Sequence, residues 1–324
     1  MKSIQELQEL VAKKVDGFCR KNGDAPLFQP INYIMQLGGK RMRPVLSLMA
    51  ANLFSDDIEQ AVYPAIAIEV FHNFTLMHDD IMDNSPLRRG QPTVHHKWNP
   101  NAAILSGDTM LVQSYQLLIK TYPEKIAPVM ELYNRTAIEV CIGQQRDMEF
   151  EKRAVVSVDE YLDMIRLKTS VLVGGAMQIG AMINGASEQD QQLVYEFGES
   201  LGMAFQLHDD LLDVFGDIAQ TGKQIGGDII ADKKTFLLIR AFEKAGEREA
   251  AVLKKYIGNR SHADSEKVEA VKEVYLTLGL KDELLELAES YFLKSMAALD
   301  KISVDAERKT QLRELATQLQ SRKS

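Results

Sequence analysis

The sequence predicts an all-α protein, and three observations carry that expectation. The chain of 324 residues holds only 9 prolines and 20 glycines, alongside 14 methionines. Apolar residues recur at helical spacing along much of its length. No strand-like alternation persists for more than a few residues, and no linker composition divides the chain. At this length the chain is one large domain or two ordinary ones, with enough residues for a substantial core.

The elements follow in order. Ile4, Leu7, Leu10, Val11, Val15 and Phe18 form one face of a first helix over residues 3–21, which Asn22-Gly23-Asp24 stops. Pro26 and Pro30 frame a second helix, ending at Gly38-Gly39. Lys40, Arg41 and Arg43 then make a basic run closed by Pro44, which suits the first position of a third helix. The glycines permit close backbone approach, so this run reads as a diphosphate grip, with a solvated turn as the plainer alternative. A long helix is expected from Asp57 to Asp83, with Pro64 early in it. Residues 84–100 read as a loop that brings Arg88 and Arg89 directly after that helix. His95-His96 have no helical mate at i+4 and read as structural.

Two helices are expected over 102–151, broken near Thr121-Tyr122-Pro123. Ser157 and Glu160 form a capping box opening a helix that carries Lys168 and Thr169. Small residues at 174–176 and 180–181 permit close packing, and Ser187 to Asp190 reads as a further capping box. The helix it opens runs through Phe205-Gln206 to Asp213. Residues 216–228 form a glycine-rich loop holding Lys223, and Lys233 is expected in the next helix. The pattern G-x-x-x-x-G-K-S/T is absent, so no P-loop is present. Residues 229–324 read as amphipathic helices without catalytic signal.

Two stretches organise the rest: His78-Asp79-Asp80-Ile81-Met82-Asp83 and His208-Asp209-Asp210-Leu211-Leu212-Asp213. The i, i+1, i+4 spacing gathers three carboxylates on one side of a helix. Two such charges 4 Å apart repel by about 4 kcal/mol at an effective dielectric of 20. At a helix C-terminus the macrodipole is unfavourable as well. A hard divalent cation relieves both, and magnesium favours a few carboxylates, waters and phosphate oxygens. His72 lies seven residues before Asp79, about 20° from it on an ideal helical wheel.

A formal charge of −8 and a pI near 5.4 argue against a nucleic-acid partner. Two cysteines without metal-type spacing suggest reduced thiols in a cytoplasmic protein. The absence of a signal-peptide core or a run of 18 apolar residues argues against stable membrane insertion.

The ordered set of motifs resembles the short-chain trans-polyprenyl diphosphate synthases. It comprises Gly38-Gly39-Lys40-Arg41-Met42-Arg43-Pro44, the two aspartate clusters, Arg88-Arg89-Gly90, Gly143-Gln144, Lys168-Thr169, Phe205-Gln206, Gly222-Lys223, Asp228 and Lys233. One departure is that Phe236-Leu237 follow Thr235 where the family often has a tyrosine–proline pair. The resemblance implies a single domain over 1–324, an all-α bundle of ten or more helices around a central apolar cavity, with the clusters facing each other across its mouth. It also implies a homodimer. The reaction implied is head-to-tail 1'-4 condensation of isopentenyl diphosphate with dimethylallyl, geranyl or farnesyl diphosphate.

By the same resemblance Asp79, Asp83 and Asp209 bind Mg2+ directly, three ions per site, with Asp80, Asp210 and Asp213 in support. Arg88, Lys168, Thr169, Gln206, Lys223 and Lys233 hold the allylic diphosphate; Lys40, Arg43, His72 and Arg89 hold isopentenyl diphosphate. Product length is expected to be set by Phe74 and Thr75, with Phe71 deeper. Phe74 lies about 7.5 Å and Phe71 about 12 Å below Asp79 along the helix. An aromatic at the fifth upstream position alone resembles the archaeal-type geranylgeranyl synthases, giving C20, with a C15 farnesyl synthase as the alternative. The ideal wheel puts Phe74 roughly 140° from Asp79, so that expectation rests on resemblance. A class I terpene cyclase fits less well, because the second cluster is a full aspartate triad. An inactive regulatory subunit would have lost part of this set.

Overall fold

The computed structural model describes residues 1–216, 225–259 and 261–320. It is helical apart from a two-stranded hairpin. The helices are α1 (Ile4–Asn22), α2 (Gln29–Gln36), α3 (Met42–Phe54), α4 (Glu59–Met82), α5 (Val94–Lys97), α6 (Pro100–Leu118), α7 (Pro123–Lys152), α8 (Val158–Ile165), α9 (Val171–Ile183) and α10 (Glu188–Phe215). Beyond them lie helices Gly227–Ile230, Phe236–Lys244, Glu247–Tyr256, Asp264–Thr277, Leu280–Lys301 and Ala306–Gln320. None is long and apolar enough to cross a membrane.

Two compact units divide the chain. The first comprises residues 1–135, 175–195 and 302–312. Helix α4 is its centre and meets α1, α2, α3, α5 and α6. Between Ala61 and Phe71 nearly every side chain of α4 is buried, Glu69 included, so this stretch is apolar on all sides rather than striped. Past it the polar residues gather, from His72 and Asn73 to the aspartates. Gly180 of α9 rests on the backbone of α3: an added Cβ would sit 2.0 Å from the Ser47 carbonyl oxygen. Gly107 of α6 makes room in the same way for the His78 ring, 2.2 Å from such a Cβ.

The second unit comprises residues 136–174, 196–301 and 313–324. Its core joins Phe150, Tyr161, Met164, Leu207, Leu211 and Val214 to Ile229, Leu237, Val271 and Tyr275. Phe236 and Leu237, the departure from the family pattern, are buried there.

Local rules explain most boundaries. Ser3 with Glu6, and Ser157 with Glu160, close full capping boxes. At α10 the Asp190 N–H donates to Ser187 Oγ at 3.1 Å, while the Asp190 carboxylate accepts from Ser187 Oγ and from the Ser303 N–H. Three expectations are revised. Pro44 is the third residue of α3, not the first, and its missing N–H is still harmless within the first turn. Residues 84–100 are not all loop. Leu87–Arg88 pairs with Gln91–Pro92 across Arg89-Gly90, whose φ values of 53° and 74° are those of a type I′ hairpin turn. Lys233 lies in the turn before helix Phe236–Lys244 rather than inside a helix.

The glycine contact between α9 and α3 sets a first test. Gly180→Ala should destabilise the protein by about 1–3 kcal/mol through overpacking, read as a lower urea midpoint at unchanged m-value.

Candidate active site

The first cluster sits at the last turn of α4, where Asp83 is the C-cap. Its three aspartates are not equivalent. Asp80 is 1% exposed and is held by Arg88 in a fork: Nε donates to Oδ2 at 2.8 Å and Nη2 to Oδ1 at 2.7 Å. Asp79 is half-buried, 3.9 Å from the same guanidinium, and Asp83 is exposed. The hairpin turn is what returns Arg88 onto the helix end. Arg89, at the turn itself, lays its guanidinium over Gly39, where a Cβ would lie 2.7 Å from Cζ. Gly39 has φ +119°, a second reason for glycine.

Arg43, near the start of α3, donates from Nη1 to His72 Nε2 at 3.1 Å. A guanidinium has no acceptor, so His72 Nε2 must be the unprotonated nitrogen and the ring is neutral. Burial, reinforced by Arg43, Arg88 and Arg89, holds the His72 pKa well below its ordinary range. Arg43 Nε is buried without a hydrogen-bond partner among the described residues, a donor suited to an anionic oxygen. Glu69, which the sequence reading passed over, is buried beside this group and accepts from Asn73 Nδ2 at 3.2 Å. Burial raises its pKa, while Arg43 leads the opposing influences. Arg41 turns away, donating to the Met35 carbonyl. Lys40 is exposed beside the glycine pair.

In the second unit α8 runs into a π turn, Arg166–Ser170, before α9 begins. Glycines admit this wide turn. A Cβ at Gly143 would sit 2.3 Å from the Lys168 nitrogen, and one at Gly202 would sit 2.9 Å from Ser170 Cα. Single-turn π segments are frequent at functional sites, and this one presents Lys168 and Thr169. Lys168 Nζ lies 2.6 Å from Asp147 Oδ2, and Thr169 Oγ1 donates to Gln206 Oε1 at 3.2 Å. Gln206 Nε2 in turn donates to Asp210 Oδ1 at 3.0 Å, and the Tyr161 hydroxyl donates to Asp210 Oδ2.

Asp210 is 5% exposed, and burial together with Asp228 pushes its pKa up to about 7 against these donors. Asp209 and Asp213 are half-buried, and Asp213 Oδ2 accepts from the Asp228 N–H at 3.0 Å. Burial opposes ionisation of Asp147, but Lys233 and Lys168 outweigh it and hold its carboxyl below the usual range. Lys233 Nζ lies 4.0 Å from Asp228 Oδ1. Lys223 lies outside the described residues.

Thus each buried middle aspartate is held by protein donors, while the outer ones stay nearer solvent. Among the described residues no three His, Cys, Asp or Glu side chains converge as a complete metal cage. Magnesium does not need one, since it keeps waters and takes phosphate oxygens, so the carboxylate set fits it.

The polyprenyl synthetase family matches residues 24–275. The chain belongs to that family. A geranylgeranyl diphosphate synthase of Methanosarcina mazei is 37% identical over 298 residues, 91% of this chain and 90% of its own. One from Sulfolobus acidocaldarius is 39% identical over 287 residues, 87% of this chain and 86% of its own. A crystal structure of a geranylgeranyl pyrophosphate synthase matches with TM-score 0.95 at 43% identity, covering 100% of both chains. This polyprenyl synthetase is therefore a prenyltransferase with the isoprenoid synthase fold.

Within it, Arg88 pairs with Asp80, whose side chain is 2% exposed. Arg88→Met strands a buried charge and should lower stability by about 3 kcal/mol. Asp80→Asn added to it should recover part of that loss, as read by thermal unfolding of both variants.

Proposed function

We propose that this prenyltransferase condenses isopentenyl diphosphate head-to-tail with allylic diphosphates, acting as one functional domain and ending at the C20 product. The geranylgeranyl synthase relatives support that product over C15. The observation that carries the reading is the cationic side chain set beside each aspartate cluster, Arg88 on Asp80 and Lys233 near Asp210. Lys40, Arg43, His72 and Arg89 are assigned to isopentenyl diphosphate. Arg88, Lys168, Thr169, Gln206, Lys223 and Lys233 are assigned to the allylic diphosphate.

Asp79, Asp83 and Asp209 would hold magnesium, three ions per site, with Asp80, Asp210 and Asp213 supporting them. Bound there, the ions neutralise a leaving group that is poor in water. The cationic side chains orient the diphosphates and stabilise charge as it develops on the leaving oxygen. As the allylic C1–O bond breaks, the isopentenyl double bond supplies the electron pair for the new C–C bond. The proton then lost from the isopentenyl unit passes to the released diphosphate. The apolar helical interior keeps water from the cation. His72, neutral, serves as a hydrogen-bonding group and not as a charge.

Phe74 and Thr75 are assigned as the floor beneath the growing tail. The Phe74 ring is half-buried, 4.7 Å from His78 and 5.6 Å from Phe71, while Phe71 is 1% exposed and packs edge-on to Tyr133. Thr75 Oγ1 donates to the His72 carbonyl. Phe74→Ala should lengthen the product and Thr75→Phe shorten it, as read by chromatography of the dephosphorylated products. Excess chelator should abolish turnover of the native enzyme. Activity in chelator would remove the metal assignment, and an unchanged length distribution in both variants would remove the floor.

We place the enzyme in the cytoplasm as a homodimer. Helix α6 and its C-cap Ile119 leave Ile104, Leu105, Val112 and Ile119 between 45% and 60% exposed, a face that a second copy would cover. Sedimentation should report twice the chain mass, and Leu105→Glu with Val112→Glu should halve it.

A further inference from the structure

Helix Asp264–Thr277 contains a lysine where its pattern calls for an apolar residue. Val271, Val274 and Tyr275 form its core-facing stripe, and Lys267 stands four residues before Val271 on that stripe. It is 3% exposed. Burying an ammonium is unfavourable unless it is paired, so the position needs a reason beyond packing. Lys267 reaches two groups outside the substrate assignment. Its Nζ lies 2.6 Å from Asp232 Oδ1 and 3.1 Å from the Ile230 carbonyl oxygen.

Those two partners define the turn that carries Lys233. Ile230 ends the short helix Gly227–Ile230, leaving carbonyls that the helix itself cannot satisfy. Asp232 has φ +57°, a left-handed conformation that a non-glycine residue adopts at a cost. The reversal then closes with the Lys233 N–H donating to the Asp228 carbonyl at 2.9 Å. At the other end of the segment, Gly226 (φ +79°) is pressed against Val268, with a Cβ falling 2.6 Å from Cγ2. Neighbouring residues of one helix, Lys267 and Val268, therefore pin both ends of residues 226–232. That segment delivers the Asp228 N–H to Asp213 and the Lys233 ammonium to the neighbourhood of Asp147.

We infer that Lys267 is a positioning residue for the allylic diphosphate grip, acting through Asp232 and Ile230 on Lys233 and Asp228. This rests on the assignment of Lys233 to the allylic substrate. Lys267→Met keeps the length and apolar stem while removing the charge. It should raise KM for the allylic diphosphate about tenfold, the loss expected for a displaced charge-assisted hydrogen bond. KM for isopentenyl diphosphate should stay within about twofold. Asp232→Asn should act in the same direction, and the double variant should show no more than the larger single effect, since both remove one link. Asp232→Gly relieves the left-handed backbone and removes the carboxylate while leaving Lys267 in place, and supplies the same readout should Lys267→Met fail to fold.

Equal changes in both KM values, or an unchanged allylic KM in a folded variant, would overturn the inference. Additive effects in the double variant would do the same. If instead the native enzyme forms no prenyl product from any allylic primer, the functional reading itself falls and this inference with it.

Discussion

Carboxylates at the C-terminal end of a helix meet the negative end of its dipole and one another, and both aspartate clusters are placed there. The fold resolves the conflict unevenly. The middle aspartate of each triad is withdrawn from solvent and supplied with donors, Arg88 for Asp80 and Tyr161 with Gln206 for Asp210. The outer carboxylates stay nearer water, where multivalent counter-charge can reach them. Much of the surrounding architecture serves this division. The hairpin exists where Arg88 must return to its helix. The π turn exists where Thr169 must reach Gln206 and so, at one remove, Asp210.

The two sets of cations are built by different means. In the first unit they converge by backbone permissiveness: Gly39 lets the Arg89 guanidinium lie on the chain, and Arg43 reaches His72 from the opening turn of α3. In the second unit they are held by counter-charges, with Asp147 between Lys168 and Lys233. A glycine-built contact tolerates no side chain, whereas an ion-paired one tolerates movement until its partner is lost. Substitutions in the two grips should therefore differ in kind as well as in size.

The sequence made the helices legible because their apolar spacing is long and their caps are chemical: Ser3 and Ser157 announced helix starts by the residue three places on. The aspartate clusters were legible because their spacing has no structural use. What stayed hidden depends on events of one or two residues. A π turn adds a single residue to a helix and barely disturbs a periodicity taken over four turns, so Lys168 and Thr169 read as ordinary helix. Strands of two residues cannot alternate, so the hairpin read as loop, although Arg89-Gly90 is a reasonable type I′ pair. Asp147 lies within α7 with no cluster spacing to mark it. Tyr161, Glu69 and Lys267 carry signals of another sort, polar groups on faces that ought to be apolar, and such signals gain meaning only once partners from distant segments are in place.

The contact between Arg43 and His72 has a chemical corollary. With Nε2 committed as an acceptor, the one proton of the ring must reside on Nδ1, and a second proton could enter only by breaking the bond to the guanidinium. The imidazole thus behaves as a rigid carboxamide: an acceptor at one edge, a donor at the other and no net charge. A glutamine able to span the same distance would satisfy identical valences. Titration, the property for which histidine is usually chosen, is the one this location does not use.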